Sequence, residues 1–152
     1  MSEHFLDTSA LVKHYHSEVG TPKVDLLWNN PNAHLFVSRL GVVETVSAFA
    51  KKVRNGMIST VDFLLLRRRF FADLRKKRPS VVRLLVRHHQ EADRLIEQYG
   101  LVHSLHTLDA LQLAIALDLP RKLGSMEFVT ADHVLLTIAP LEGLAVKNPE
   151  VP

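Results

Sequence analysis

Short apolar runs rich in β-branched residues alternate along the chain with longer stretches whose apolar residues recur every three or four positions. The short runs predict strands and the longer ones amphipathic helices. A first strand is expected over residues 3–6, ending at Asp7. Thr8 and Ser9 then offer capping hydroxyls to a helix with Leu11, Val12 and Tyr15 on one face. Gly20-Thr21-Pro22 stops that helix and opens another, with Thr21 as N-cap and Pro22 at the first helical position, running to Asn29-Asn30-Pro31. A second strand is predicted over 34–38, and a helix over 40–54 that shows Val42, Val46, Phe49 and Val53 on one face and closes at Asn55-Gly56. Ser59-Thr60 caps the next helix, which ends before Pro79. Residues 81–86 read as a third strand, followed by helices over 88–99 and 107–119. A strand over 127–130, a short helix over 132–139 and a last strand over 144–147 complete the chain. Such alternation predicts an α/β fold with a mainly parallel sheet of about five strands between helical layers. No repeat or Pro/Gly/Ser-rich linker divides the 152 residues, so a single domain, residues 1–152, is expected.

Composition narrows the classes. Apolar residues at 47% and charged residues at 23% describe a globular chain rather than a disordered polyelectrolyte. The absence of cysteine excludes disulfide scaffolds, thiolate metal sites and cysteine nucleophiles. No apolar run approaches the 18 residues or so of a membrane span, and the N-terminus lacks the basic and apolar regions of a signal peptide, so a soluble, cytoplasmic protein is expected. The net charge of +3 says less than its distribution. Arg67, Arg68, Arg69, Arg75, Lys76 and Lys77, followed by Arg78, Arg83 and Arg87, are interrupted by the one acid Asp73. That field suits a polyanion such as RNA; a solvated helix face is the plainer alternative.

Four acids stand where a core residue or a site residue is expected. In an open α/β sheet the site lies beyond the carboxyl ends of the strands, where the strand order switches. Asp7 ends the first strand and Asp132 follows the fourth, so both emerge on the same sheet edge. Glu44 lies in Leu-Gly-Val-Val-Glu-Thr-Val, and Asp109 in Leu-Asp-Ala-Leu-Gln-Leu-Ala with no lysine or arginine within one turn. A carboxylate in such surroundings costs several kcal/mol unless it is paired, protonated or bound to a cation. Oxygen-only donors point to Mg²⁺ or Mn²⁺ rather than zinc, and two such ions can stabilise both oxygens of a phosphodiester displacement. Asp7 and Asp132 as simple helix caps, and Glu44 as a solvent-facing charge, are the structural alternatives. Asp25, Asp62, Asp73, Asp93 and Asp118 occupy amphipathic positions and are expected to be surface charge.

Phe5-Leu-Asp-Thr-Ser-Ala-Leu-Val-Lys-His-Tyr, the Glu44 segment, Leu108-Asp-Ala-Leu-Gln-Leu-Ala, Phe128-Val-Thr-Ala-Asp-His-Val-Leu-Leu and the ending Gly143-Leu-Ala-Val-Lys-Asn-Pro together resemble the PIN-domain ribonucleases. The likeness runs over nearly the whole chain and is greatest to the VapC-type toxins of toxin–antitoxin pairs. It implies a three-layer α/β/α sandwich and a Mg²⁺- or Mn²⁺-dependent acidic pocket that cleaves RNA. Carried over by motif, Asp7, Glu44, Asp109 and Asp132 are the catalytic acids, with Asp7, Asp109 and Asp132 on the metal. Ser9 and Thr130 support the pocket by hydrogen bonds. The resemblance also implies a homodimer, and a small antitoxin that holds the enzyme inactive. Water would attack phosphorus in line, leaving a 5′-phosphate and a 3′-hydroxyl, with Glu44 or Asp132 orienting or deprotonating it. His106, three residues before Asp109, and the strongly basic Arg67–Arg69 run depart from the usual pattern.

Other readings remain at this stage. A haloacid-dehalogenase-like phosphatase needs a second aspartate two residues after the first, where Ser9 stands. An RNA-processing PIN nuclease without an antitoxin, or a catalytically silent RNA- or protein-binding module, fits the same fold. His14, His16, His103 and His106 have spacings open to a transition metal but no accompanying cysteine or HExxH motif, and His88-His89 is expected to face solvent or RNA.

Overall fold

The computed structural model describes residues 1–120 and 125–152. The elements follow in the order β1 (Ser2–Leu6), α1 (Thr8–Tyr15), α2 (Thr21–Asn29), β2 (Ala33–Ser38), α3 (Arg39–Arg54) and α4 (Thr60–Arg75). Then come β3 (Ser80–Val82), α5 (Val86–Tyr99), α6 (Thr107–Asp118), β4 (Met126–Val129), α7 (His133–Leu141) and β5 (Ala145–Lys147). The strands form one sheet, all parallel, in the order β3-β2-β1-β4-β5.

Alternation along the strands separates two apolar layers. Phe5 and Phe128, paired in register with rings stacked at 5.6 Å, face the layer of Leu95, Leu113, Ile115 and Ile138 from α5, α6 and α7. Leu6, Leu35, Val37 and Val129 point the other way, onto Leu11, Val24, Val42, Phe49 and Phe70 from α1 to α4. The expected sandwich of helices on both sides of a parallel sheet is therefore present. The chain goes from β1 to β2 on one side and later returns to β4 on the other, so the switch in strand order lies between β1 and β4.

Several elements differ from expectation for identifiable reasons. The third strand stops at Val82, and α5 begins at Val86, two residues before the helix predicted from His88. The reason is His88: its Nδ1 accepts from the Leu85 amide at 2.9 Å, which bends the chain into a helix start. His88 is consequently buried, with Nε2 at 2.7 Å from Asp118, and faces neither solvent nor RNA. Thr21 is not an N-cap; Gly20 takes that place at a φ of 94°, and the Thr21 hydroxyl instead donates to the Lys13 carbonyl at 2.7 Å. Four of the acids assigned to the surface have structural partners: Asp25 on His14, Asp62 in the capping box of α4 with Ser59, Asp73 on the Tyr15 hydroxyl, and Asp118 on His88 and Arg87.

Arg78, one of the clustered bases, turns inward. Its guanidinium donates to the carbonyls of Leu27, Trp28, Asn30 and Ala33, satisfying the C-terminal end of α2 and the entry to β2. A planar fork with five donors suits this task, and a lysine ammonium does not. Arg78→Ala and Arg78→Lys are each expected to lower stability by about 2 kcal/mol, read from the urea midpoint at unchanged m-value. Equal stability of the lysine variant and the parent would contradict this account of the fork.

Candidate active site

Asp7 is fixed by the sheet before its side chain does anything. Its amide donates to the Val129 carbonyl at 3.1 Å, continuing the β1–β4 ladder by one residue. The carboxylate is the N-cap of α1, with Oδ1 accepting from the Ala10 amide at 3.0 Å. Oδ1 also accepts from Ser9 Oγ at 2.7 Å, and Oδ2 from Thr130 Oγ1 at 2.7 Å. Asp7 is thus the helix cap that the sequence offered as one of its two readings. The two hydroxyls reach further: Ser9 Oγ accepts from the Ala131 amide and Thr130 Oγ1 from the Asp132 amide. Ser9 and Thr130 therefore bind the turn after β4 to the turn after β1.

Asp132 follows that turn and caps α7, its Oδ1 accepting from the Val134 and Leu135 amides. Asp109 stands in the first turn of α6, half-buried, with His106 Nδ1 at 3.9 Å as its nearest basic atom among the described residues. Glu44 sits half-buried on α3, where Gln112 Nε2 donates to its Oε1 at 2.9 Å. Glu44 and Asp109 line an open groove of about 600 Å³ with His106, Thr107, Leu105 and Ile96. Asp7 lies deeper, only 4% exposed.

The four carboxylates are linked by charge. Burial pushes the Asp7 carboxyl up from the ordinary 3.8 to about 6, against the opposing hydrogen bonds of Ser9, Thr130 and Ala10, and the charge of Asp132 adds to the rise. Burial raises Asp109 too, with Asp132 adding and His106 opposing. Glu44 is raised by burial, then by Asp109, while Gln112 and Thr8 hold it down. Three acids raised by burial and by neighbouring negative charge suit a positive ion placed among them. No three His, Asp or Glu side chains among the described residues stand close enough to cage an ion as they are placed. Mg²⁺ keeps several waters and takes only one or two carboxylates directly, so the donor set still fits a hard divalent cation in type and charge.

The basic residues stand on other elements. Arg67, Arg68 and Arg69 are exposed on α4, which contributes none of the four acids; Arg75, Lys76 and Lys77 are exposed at its end. Arg67 lies over the Phe71 ring at 4.8 Å and Arg69 over Tyr15 at 5.4 Å, so these two are held rather than trailing in solvent. His14 stacks on Trp28 and binds Asp25, and His16 meets Lys52 at 3.1 Å. Two polar residues of the site went unassigned in the sequence. Thr8 reads there only as a cap, and Gln112 reads as part of an apolar helix. The signal for Gln112 was the one used for Asp109, a polar residue among the buried Ala110–Ala116 stretch of α6. Its Oε1 is buried without a partner, which costs about 1–3 kcal/mol.

The raised carboxyl of Asp7 makes stability depend on pH. A carboxyl that ionises at about 6 when folded and at 3.8 when unfolded contributes fully below 3.8, and that contribution is lost as pH rises through 6. Asp7→Asn cannot ionise. In chelator at pH 8 it is expected to be more stable than the parent by about 2 kcal/mol, with the difference gone near pH 4. Urea unfolding at the two pH values checks this; a variant less stable at pH 8 than at pH 4, relative to the parent, would contradict it.

Known proteins agree with the architecture. The model of the PIN domain family matches residues 4–139. VapBC2 from Rickettsia felis, solved bound to a DNA fragment from their promoter, is similar in structure with a TM-score of 0.62 at 16% identity, covering 96% of this chain and 98% of that one. FitAB bound to an IR36 DNA fragment gives a TM-score of 0.68 at 16% identity, over 98% and 96% of the two chains. VapC20 of Mycobacterium tuberculosis, a sarcin–ricin loop cleaving toxin, gives 0.61 at 15% identity over 89% and 94%. At these identities the likeness carries the fold alone. No curated protein sequence matches the chain significantly. With the family model spanning most of its length and a parallel sheet of the expected kind beneath the acids, the chain belongs to the PIN-domain family.

Proposed function

We propose that the chain, as one nuclease domain, is a Mg²⁺- or Mn²⁺-dependent endoribonuclease and the toxin of a toxin–antitoxin pair. The observation that carries this reading is the row Asp7, Asp132, Asp109 and Glu44. Burial and neighbouring carboxylates raise Asp7, Asp109 and Glu44, without a lysine or arginine partner among the described residues. Membership of the PIN-domain family supports nuclease chemistry. The similarity to VapBC and FitAB complexes and to an RNA-cleaving toxin supports an antitoxin partner and an RNA substrate.

In this reading Asp7, Asp109 and Asp132 hold the cation, and Ser9 and Thr130 keep Asp7 aligned for it. A bound divalent cation supplies positive charge against the phosphate and brings water within reach of phosphorus. Glu44, open to the groove and oriented by Gln112 and Thr8, takes the proton of the attacking water. In-line displacement leaves a 5′-phosphate and a 3′-hydroxyl. Arg67, Arg68 and Arg69 on α4, with Arg75, Lys76 and Lys77 behind them, hold the RNA backbone, which adds affinity without sequence preference. The protein works as a homodimer bound by its antitoxin. No helix among the described residues is long and apolar enough to cross a membrane.

Purified protein is expected to cleave total cellular RNA with Mg²⁺ or Mn²⁺ and not with chelator, and Asp7→Asn to lower the rate about a hundredfold or more. Cleavage by the variant at the parent rate would sink the assignment of Asp7. Metal-independent cleavage would sink the mechanism. For the basic patch, replacing Arg67, Arg68 and Arg69 with Gln is expected to weaken RNA binding. It should also reduce the slope of log affinity against log salt by about 2. An unchanged slope would assign those arginines to structure or to a protein partner.

A further inference from the structure

Gln112 lies one turn beyond Asp109 on α6 and is 2% exposed. Its Nε2 donates twice, to Glu44 Oε1 at 2.9 Å and to Thr8 Oγ1 at 3.0 Å, while its Oε1 is buried with no partner. Thr8 lies beside Glu44, whose carboxyl its hydroxyl holds down, and directly follows Asp7 in the chain. One amide thus joins the start of α1, the middle of α3 and the helix that carries Asp109. The amide cannot be reversed, because its oxygen would then face an ionised carboxylate, which only accepts.

Gly41 and a run of buried apolar residues surround the amide. Gly41 of α3 lies against the Gln112 side chain. A Cβ at that position would come to 3.5 Å from Oε1 and 3.2 Å from Ser38 Oγ, the atom that caps α3. A side chain at 41 would therefore crowd the α3 cap at Ser38 and meet the amide only at ordinary van der Waals distance. Every neighbour of Gln112 from Ala110 to Ala116 is apolar and buried, so leucine would serve the packing there without an unpaired oxygen. A buried polar atom left unpaired calls for a reason, and the bonds that Gln112 donates to Glu44 and to Thr8 supply one.

We propose that Gln112 is a positioning residue: with Thr8 it holds the Glu44 carboxylate beside Asp109 in the groove, where the Glu44 charge, without being a ligand itself, strengthens the hold of Asp7, Asp109 and Asp132 on a divalent cation. This rests on the nuclease reading above. Gln112 acts through Glu44 and touches neither substrate nor ion.

The test is Mn²⁺ binding to the full chain, followed by the electron paramagnetic resonance signal of free Mn²⁺. The parent is compared with Gln112→Leu, Thr8→Val, Glu44→Ala and the double variant Gln112→Leu/Glu44→Ala. Circular dichroism in chelator establishes that each is folded. Gln112→Leu and Thr8→Val are each expected to weaken Mn²⁺ binding about tenfold, the size typical of residues that orient ligands. In the Glu44→Ala background Gln112→Leu is expected to have no further effect, a non-additivity that a general packing defect would not produce. Thr8 is partly exposed, so its variant decides the matter if Gln112→Leu fails to fold. Parent-like Mn²⁺ binding in the single variants, or an undiminished loss from Gln112→Leu when Glu44 is already gone, would overturn the role of Gln112 and leave the nuclease reading standing. A parent protein that binds no Mn²⁺ would overturn both.

Discussion

A carboxylate held almost entirely out of water at the joint between two parallel strands is the constraint around which this molecule is arranged. Asp7 is placed by a backbone bond to Val129, and its oxygens are met by Ser9, Ala10 and Thr130. Each of those donors has a second duty, in α1 or in the turn after β4. The burial that lifts its ionisation to about 6 is therefore built into the β1–β4 junction and is not an accident of one rotamer. Folding places a charge where charge is unfavourable, a cost of the kind found at functional sites.

The second half of the site reaches that junction through the core. The apolar faces of α3 and α6 pack onto opposite sides of the sheet, yet Gln112 spans the gap between them at its carboxyl end. Packing therefore delivers Glu44 and Asp109 to the groove, and hydrogen bonding then sets their relation. The β1–β4 switch point supplies the deep acid Asp7 and the half-buried Asp132, and the helices supply Glu44 and Asp109 on the groove. Arginines on α4 lie outside this arrangement, anchored through Phe70 and the rings of Phe71 and Tyr15.

Much of this was legible because strong local signals agreed with the global fold. Strands ending at an aspartate, the stops at Asn29-Asn30-Pro31 and Asn55-Gly56, and the apolar face of Val42, Val46, Phe49 and Val53 all lead to the observed elements. What escaped depends on partners distant in sequence. His88 ends a β-branched run, and only its bond to Leu85 and its hydrogen bond to Asp118, 30 residues away, turn the segment into a helix start. Arg78 belongs to a basic run by composition, but carbonyls from Leu27 to Ala33 draw it inside. Asp73 and Asp118 lie on amphipathic helices as surface acids do, and Tyr15 and His88 reach them only after folding. Gln112 shares the helix of Asp109, and its importance shows only when Thr8 and Glu44 are seen at either side of its amide.

The central claim is that the acids at the ends of β1 and β4 form a divalent-cation site. Anomalous scattering from crystals of the protein grown with Mn²⁺ tests it most directly. A peak among Asp7, Asp109 and Asp132, on the groove side of the β1–β4 junction, is the result this account predicts. A crystal saturated with Mn²⁺ that shows no peak there, or shows it only at the histidines of α1, would contradict it.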